Sequence, residues 1–205
     1  MVKDGFRFAL PPLILGIVLL IFRWWWGAIF IALGLFVLYF FRDPERQIPS
    51  EPSAVVSPAD GRVVELVDEL LGGRPGKRIS IFLSVFNVHV NRAPVAGRIS
   101  RMDYHPGKFM GAWKDKASEA NEQNVITIAA PAGEITFKQI AGWVARRILC
   151  WTRIGDEVKI GQRIGMIRFG SRVDVWLPAD AEILVQLGQH VAGGATQIAR
   201  WQSTR

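Results

Sequence analysis

The hydrophobic positions of this chain fall into two unlike patterns that meet near Pro44. From Phe8 to Phe41 every position except Arg23 is apolar. A single helix over that stretch would be about 50 Å long, against a bilayer hydrocarbon core of about 30 Å. A centred Arg23 would also cost roughly 2.5–3.5 kcal/mol on insertion. The pattern therefore predicts a break at Arg23-Trp24-Trp25-Trp26-Gly27, with the tryptophans at the membrane interface, and a hydrophobic helical hairpin. Trp24 to Phe41 would be about 27 Å as a helix, one full span. Pro11-Pro12 leave only a short uninterrupted helix in the first arm, which reads as a second span or a re-entrant segment.

After Pro44 the period changes to short β-branched runs punctuated by glycine. Ala54–Val56, Gly61–Leu66, Arg78–Leu83, Asn124–Ile128 and Ile135–Phe137 read as strands. So do Ile167–Phe169 and Val173–Leu177, on either side of a Gly170-Ser171 corner. Ile140 to Cys150 reads as the one short helix, or as a helix-like turn entering Trp151. The glycine-flanked hairpins at Gly155–Gly165 and Gly188–Gly194 are similar to those of biotinyl and lipoyl carrier domains. No modifiable lysine beside methionine accompanies them, so the architecture is expected without the carrier function. The expected fold is mainly β (α+β): a β-sandwich domain with barrel-sandwich, lipoyl-like elements over 42–205, preceded by the hydrophobic hairpin over 1–41.

The net charge is +7, from 25 basic and 18 acidic residues. That balance suits an anionic partner. No basic block, zinc spacing or aromatic RNA-binding motif is present, so nucleic acid is not expected and an anionic membrane surface is. Lys3 and Arg7 precede the hairpin, Arg42 and Arg46 follow it, and only Arg23 lies in the turn. The positive-inside rule places both ends, and the domain, in the cytoplasm at the cell membrane. No small-residue cleavage site follows the apolar run, against a removed signal peptide. The single cysteine, Cys150, excludes an internal disulfide framework and is expected to be buried and inert.

The chemistry-bearing feature is Gly170-Ser171. A serine after glycine can attack the preceding carbonyl, because Gly170 offers no Cβ to hinder a strained approach. The resulting ester can eliminate to dehydroalanine, which hydrolyses to a pyruvoyl group on the new fragment. Alone, the dipeptide reads as a bulge or turn. Self-cleavage also needs a base and a group to orient it. Among three histidines, His89 lies in an alternating Phe86–Asn91 segment that can present it inward. Asp60, in Pro58-Ala59-Asp60-Gly61, sits on a tight turn; alone it reads as a turn former. His105 and Lys108, around Pro106-Gly107, are candidates for binding a substrate carboxylate or phosphate. They read equally as a solvated loop. His190 reads as structural. No metal site is expected.

The ordered series Phe40-Phe41-Arg42-Asp43-Pro44, Ser57-Pro58-Ala59-Asp60-Gly61, Asn87-Val88-His89-Val90-Asn91-Arg92, Tyr104-His105-Pro106-Gly107-Lys108-Phe109, Asn121-Glu122 and Phe169-Gly170-Ser171 resembles the short, membrane-anchored phosphatidylserine decarboxylase proenzymes, from about Phe40 to Pro178. The resemblance implies decarboxylation of phosphatidylserine to phosphatidylethanolamine through a Schiff base with a pyruvoyl group derived from Ser171. It implies an endoproteolytic triad of Asp60, His89 and Ser171. It also implies a heterodimer of the self-cleavage fragments 1–170 and 171–205. His89 is a candidate for the proton donor after decarboxylation, whose identity stays open. The role of Asn121-Glu122 stays open, as does the choice between diacyl and ether lipid.

Other classes fit less of the chain. A serine hydrolase would place its nucleophile in Gly-x-Ser-x-Gly on a strand-to-helix elbow, whereas Arg172-Val173-Asp174 continue a strand after Ser171. A membrane-tethered lipoyl-like carrier or adaptor explains the hairpins but not Asp60, His89 and Gly170-Ser171 together.

Overall fold

Arg23 takes a left-handed backbone, φ 61°, where the apolar stretch reverses direction. The computed structural model describes residues 1–107, 121–142, 147–168 and 171–201. The chain forms two compact units, Met1–Glu45 and Arg46–Arg205.

The first unit is a helical hairpin of α1 (Lys3–Ile21) and α2 (Gly27–Phe40). Small residues let the helices touch. A Cβ on Gly16 would lie 2.7 Å from the Gly27 carbonyl oxygen, and one on Gly34 would lie 2.5 Å from Leu13. The expected order of the two arms is reversed. At 19 residues, α1 is the one described helix long and apolar enough to cross a membrane, while α2 has only 14. Pro11 and Pro12 do not shorten α1, which runs through both. Ala9, just ahead of them, is fully buried, so interhelical packing continues past the two lost N–H donors. Trp24, Trp25 and Trp26 are exposed at the turn, with the last two rings stacked 4.0 Å apart.

The second unit is mainly β, as the alternating pattern predicts. Its strands are β1 (Ala54–Val56), β2 (Gly61–Leu71), β3 (Arg74–Leu83), β4 (Val90–Arg92), β5 (Gly97–His105), β6 (Gln123–Ala130) and β7 (Gly133–Ala141). They continue as β8 (Ile148–Cys150), β9 (Glu157–Val158), β10 (Arg163–Ile167), β11 (Ser171–Pro178), β12 (Glu182–Ile183), β13 (His190–Val191) and β14 (Gln197–Arg200). An eight-stranded sheet runs β13-β2-β3-β11-β7-β6-β5-β9, with two three-stranded sheets, β1-β14-β12 and β4-β10-β8. The pairings are antiparallel. One core joins the sheets, including Val63, Ile81, Ile126, Phe137, Ile164, Val173, Val175 and Ile198.

Three expectations are corrected. Ile140–Cys150 is not a helix: Ile140 and Ala141 end β7, Ile148–Cys150 form β8, and 143–146 lie outside the described residues. Pairing of these ends with β11 and β10 outweighs local helix propensity. Cys150 is exposed rather than buried, because β8 turns Ile148 inward and leaves its last residue at the surface. The strand before the corner ends at Ile167, and Phe169 lies outside the described residues.

Candidate active site

Antiparallel order gathers the chemistry-bearing residues at one edge of the large sheet. Strands β2, β11 and β6 begin there, and β3, β7 and β5 end there. Register fixes the row: Gly61 beside Phe82, Leu83 opposite Ser171, Ser171 opposite Ala141, Ile140 opposite Gln123, and Gln123 opposite His105. Asp60, Ser171 and Asn121-Glu122 therefore precede strands at this edge or open them. His89 and His105 follow or close strands there. We call it the catalytic edge, after the candidate residues for catalysis that the sequence places there.

Ser171 opens β11 with its backbone paired on both sides. Its side chain faces the core with Val173 and Val175 and is fully buried. Its Oγ has no hydrogen-bond partner among the described residues, an unusual cost of about 1–3 kcal/mol for a buried hydroxyl. Gly170, the other half of the expected cleavage site, lies outside the described residues.

His89 is also fully buried and is tied to Ser171 from two directions. Leu83 pairs with Ser171 and leads through the turn 84–87 to His89. The Ile167 N–H donates to the His89 carbonyl at 3.2 Å, four residues before Ser171. The ring is oriented by backbone, because Nδ1 lies 3.0 Å from the Asn87 carbonyl oxygen. A carbonyl only accepts, so Nδ1 carries the proton of the neutral ring and Nε2 its basic lone pair.

Asp60 lies in the turn between β1 and β2, but its carboxylate does not provide that orientation. Arg46 Nη2 donates to both carboxylate oxygens at 2.9 Å, and the Gly193 N–H donates to Oδ1 at 2.7 Å. The turn itself is joined to the histidine strand. Pro58 O accepts from the Arg92 N–H at 2.9 Å and from Asn91 Nδ2 at 3.5 Å. Asn91 in turn accepts from Gln139, and Gln139 from Asn124, in a buried line of amides crossing from β4 to β6.

Asn121 and Glu122, of open role in the sequence, hold the strand beside Ser171. Asn121 Nδ2 donates to the Ala141 carbonyl at 2.7 Å, and the Ala141 N–H donates to the Glu122 carbonyl at 3.0 Å. Glu122 Oε1 accepts from Tyr104 and from the Ile148 N–H. Its hydrogen bond pushes the Tyr104 phenol above its ordinary pKa. His105 is exposed at the end of β5, and Lys108 lies outside the described residues. His190 is exposed on β13.

The opposite face of β11 carries a buried ion network that sequence reasoning missed. Arg172 donates to Asp174 at 2.6 Å, to Glu65 at 2.7 Å and to Ser80 at 2.8 Å. Arg78 donates to Glu65 and Ser80 at 2.8 and 2.6 Å. That bond from Arg78 holds the Glu65 carboxyl below its usual range. The only signal in the sequence is the charge alternation Arg172-Val173-Asp174 inside a strand.

A family model described as phosphatidylserine decarboxylase matches residues 33–199. A phosphatidylserine decarboxylase proenzyme of Symbiobacterium thermophilum is 48% identical over 203 residues, 97% of this chain and 94% of the relative. The proenzyme of Cupriavidus pinatubonensis is 51% identical over 179 residues, 85% of this chain and 82% of the relative. That of Cupriavidus metallidurans is 46% identical over 202 residues, 96% of this chain and 93% of the relative.

Proposed function

The chain belongs to the phosphatidylserine decarboxylase family, and from that premise we propose that its catalytic carbonyl is made from its own Ser171. The enzyme removes the serine carboxyl of phosphatidylserine as carbon dioxide and leaves phosphatidylethanolamine. The observation that carries the cleavage reading is the orphaned Ser171 Oγ, fully buried at the first residue of a strand.

In the self-cleavage, Ser171 Oγ attacks the Gly170 carbonyl carbon and gives its proton to the base. The Gly170–Ser171 C–N bond breaks, the amine takes a proton, and an ester joins the two residues. Loss of the Cα proton then expels the Gly170 carboxylate and leaves dehydroalanine. Water converts this to a pyruvoyl group with release of ammonia. His89 is the base, through the Nε2 lone pair that the Asn87 carbonyl leaves on that nitrogen. Asp60 is the acidic member of the triad, fixed by Arg46 and the Gly193 N–H.

A pyruvoyl group at 171 supplies a carbonyl that condenses with the substrate amine and accepts the electron pair left by carbon dioxide. The residues around it hold and protonate the substrate. His89, once its work in cleavage is done, returns a proton to the substrate carbon. His105 and Lys108 bind the serine carboxylate or the phosphate. The small fragment 171–205 stays with 1–170 as a heterodimer, anchored at the cell membrane with the catalytic unit in the cytoplasm. The hairpin supports that anchoring, since α1 is long and apolar enough to span.

Intact mass and activity on phosphatidylserine in detergent micelles test the reading. Functional enzyme should contain fragments 1–170 and 171–205, the latter blocked at its N-terminus. Ser171→Ala should give one uncut, inactive chain. Activity in uncut chain would refute it.

A further inference from the structure

Two turns near the start of β2, one following β3 at the catalytic edge and one preceding β13 beside Val63, present large apolar side chains to solvent, and both turns are locked. In residues 84–87, the Ser84 N–H and Oγ each donate to Asn87 Oδ1 at 2.8 Å, and the Asn87 N–H donates to the Ser84 carbonyl at 3.0 Å. Phe86, within this turn, is 63% exposed. In residues 186–189 the same device recurs. The Gln186 N–H donates to Gln189 Oε1 at 3.0 Å, and the Gln189 N–H to the Gln186 carbonyl at 3.1 Å. Leu187, within that turn, is 66% exposed.

The turns are also joined to one another through β2. The Gly188 N–H donates to the Val63 carbonyl at 2.8 Å, and Arg62 Nε to the Gly188 carbonyl at 2.9 Å. Arg62 pairs with Phe82 in β3, whose end runs into the first turn. Thus a phenylalanine stands on a pre-formed support at the strand ends that hold Asp60, His89 and Ser171, and a leucine stands on another beside Val63, two residues into β2.

The charge at this edge suits an anionic surface. Arg62 and Arg147 are exposed there, and neither has a carboxylate partner among the described residues. Arg147 is placed by its carbonyl, which accepts from the Arg168 N–H at 3.3 Å, three residues before Ser171. Two carboxylates of this edge are already engaged: Asp60 by Arg46 and Gly193, Glu122 by Tyr104 and Ile148.

We propose that this edge is a bilayer-docking surface. Phe86 and Leu187 enter the boundary between headgroups and acyl chains of an anionic membrane, while Arg62 and Arg147 meet its phosphates and carboxylates. The proposal rests on the lipid-decarboxylase reading and extends it. Ser171 is fully buried, so a headgroup must be brought to the catalytic edge, and docking there shortens its path out of the bilayer.

The test uses the full chain reconstituted in nanodiscs of phosphatidylcholine and phosphatidylserine. Phe86→Ser with Leu187→Ser should lower turnover of the bilayer substrate about tenfold or more. The same variant should self-cleave completely and keep turnover of dissolved short-chain phosphatidylserine within about twofold. Unchanged bilayer turnover, or equal loss on both substrates, would overturn the proposal. An environment-sensitive fluorophore attached through Phe86→Cys, in a Cys150→Ser background, should be quenched by brominated lipids. An unquenched probe would also overturn it. If the unaltered chain converts neither substrate, it is the activity reading that fails.

Discussion

Replacing Arg172 with methionine isolates the ion network on the outer face of β11. Arg172 is 8% exposed and Asp174 only 1%. The change keeps most of the side-chain volume but removes the donor 2.6 Å from Asp174 Oδ1, leaving Arg78 Nη1 at 4.0 Å as the nearest cation. Stranding a buried carboxylate in this way costs about 3–5 kcal/mol. Glu65 and Ser80 lose little, because Arg78 still donates to both. Adding Asp174→Leu removes the stranded charge and should restore stability to within about 1 kcal/mol of the parent. Both variants belong in a Ser171→Ala background, so that one uncut chain unfolds. Pulse proteolysis in urea reads the midpoint. With an m-value of roughly 3 kcal/mol per M, the single variant should fall by about 1 M or more, and the double variant should recover most of it. A single variant within about 0.3 M of the parent would refute the reasoning. So would a double variant less stable than the single.

Other consequences follow from neighbouring geometry. Gly61→Ala would place a Cβ 2.3 Å from the Phe82 carbonyl oxygen at φ 155°, so the chain should express poorly and cleave slowly, read by fragment ratio. Asn121→Leu removes the donor to Ala141 opposite Ser171 and should slow self-cleavage about tenfold, measured by time-resolved mass spectrometry. Burial of Lys138 holds its ammonium pKa below the usual lysine value. Between that lowered value and about 10.4 the unfolded chain binds more protons, so this residue makes stability rise with pH through that window. Lys138→Met should therefore raise the urea midpoint at pH 7, and the gain should shrink as pH approaches 10.5.

The catalytic edge was partly legible because its residues sit at strand boundaries, where short glycine- and proline-marked motifs signal a turn. Asp60 before Gly61 and Ser171 after Gly170 announce themselves this way, and the alternation around His89 foretells its burial. The partners of those residues did not announce themselves. Asp60 is held by Arg46 and by Gly193, 14 and 133 residues away, and the orienting group for His89 is a backbone carbonyl with no sequence signature. Ile140–Cys150 read as helix because its local composition allows one. Only the register of β7 on β11 and β8 on β10 makes its ends strands. The prolines of α1 misled in the opposite sense, since their local cost is outweighed by contact with α2.

Where the proposed break falls explains how a cut chain can keep its fold. Ser171 is the first residue of β11, so scission ahead of it would remove no rung from the sheet. Eight residue pairs to β3 and six to β7 would remain. The small fragment would still supply the central strand of the sheet β1-β14-β12 and the edge strand β13 beside β2. Its departure would have to open two sheets and strip Arg172 from Glu65, which belongs to the large fragment. A break placed three residues later would leave the β11 pairings split between two chain ends and Arg172 severed from Asp174. Holding a reactive carbonyl still requires a rigid strand immediately after it, and the first residue of a doubly paired strand meets that requirement.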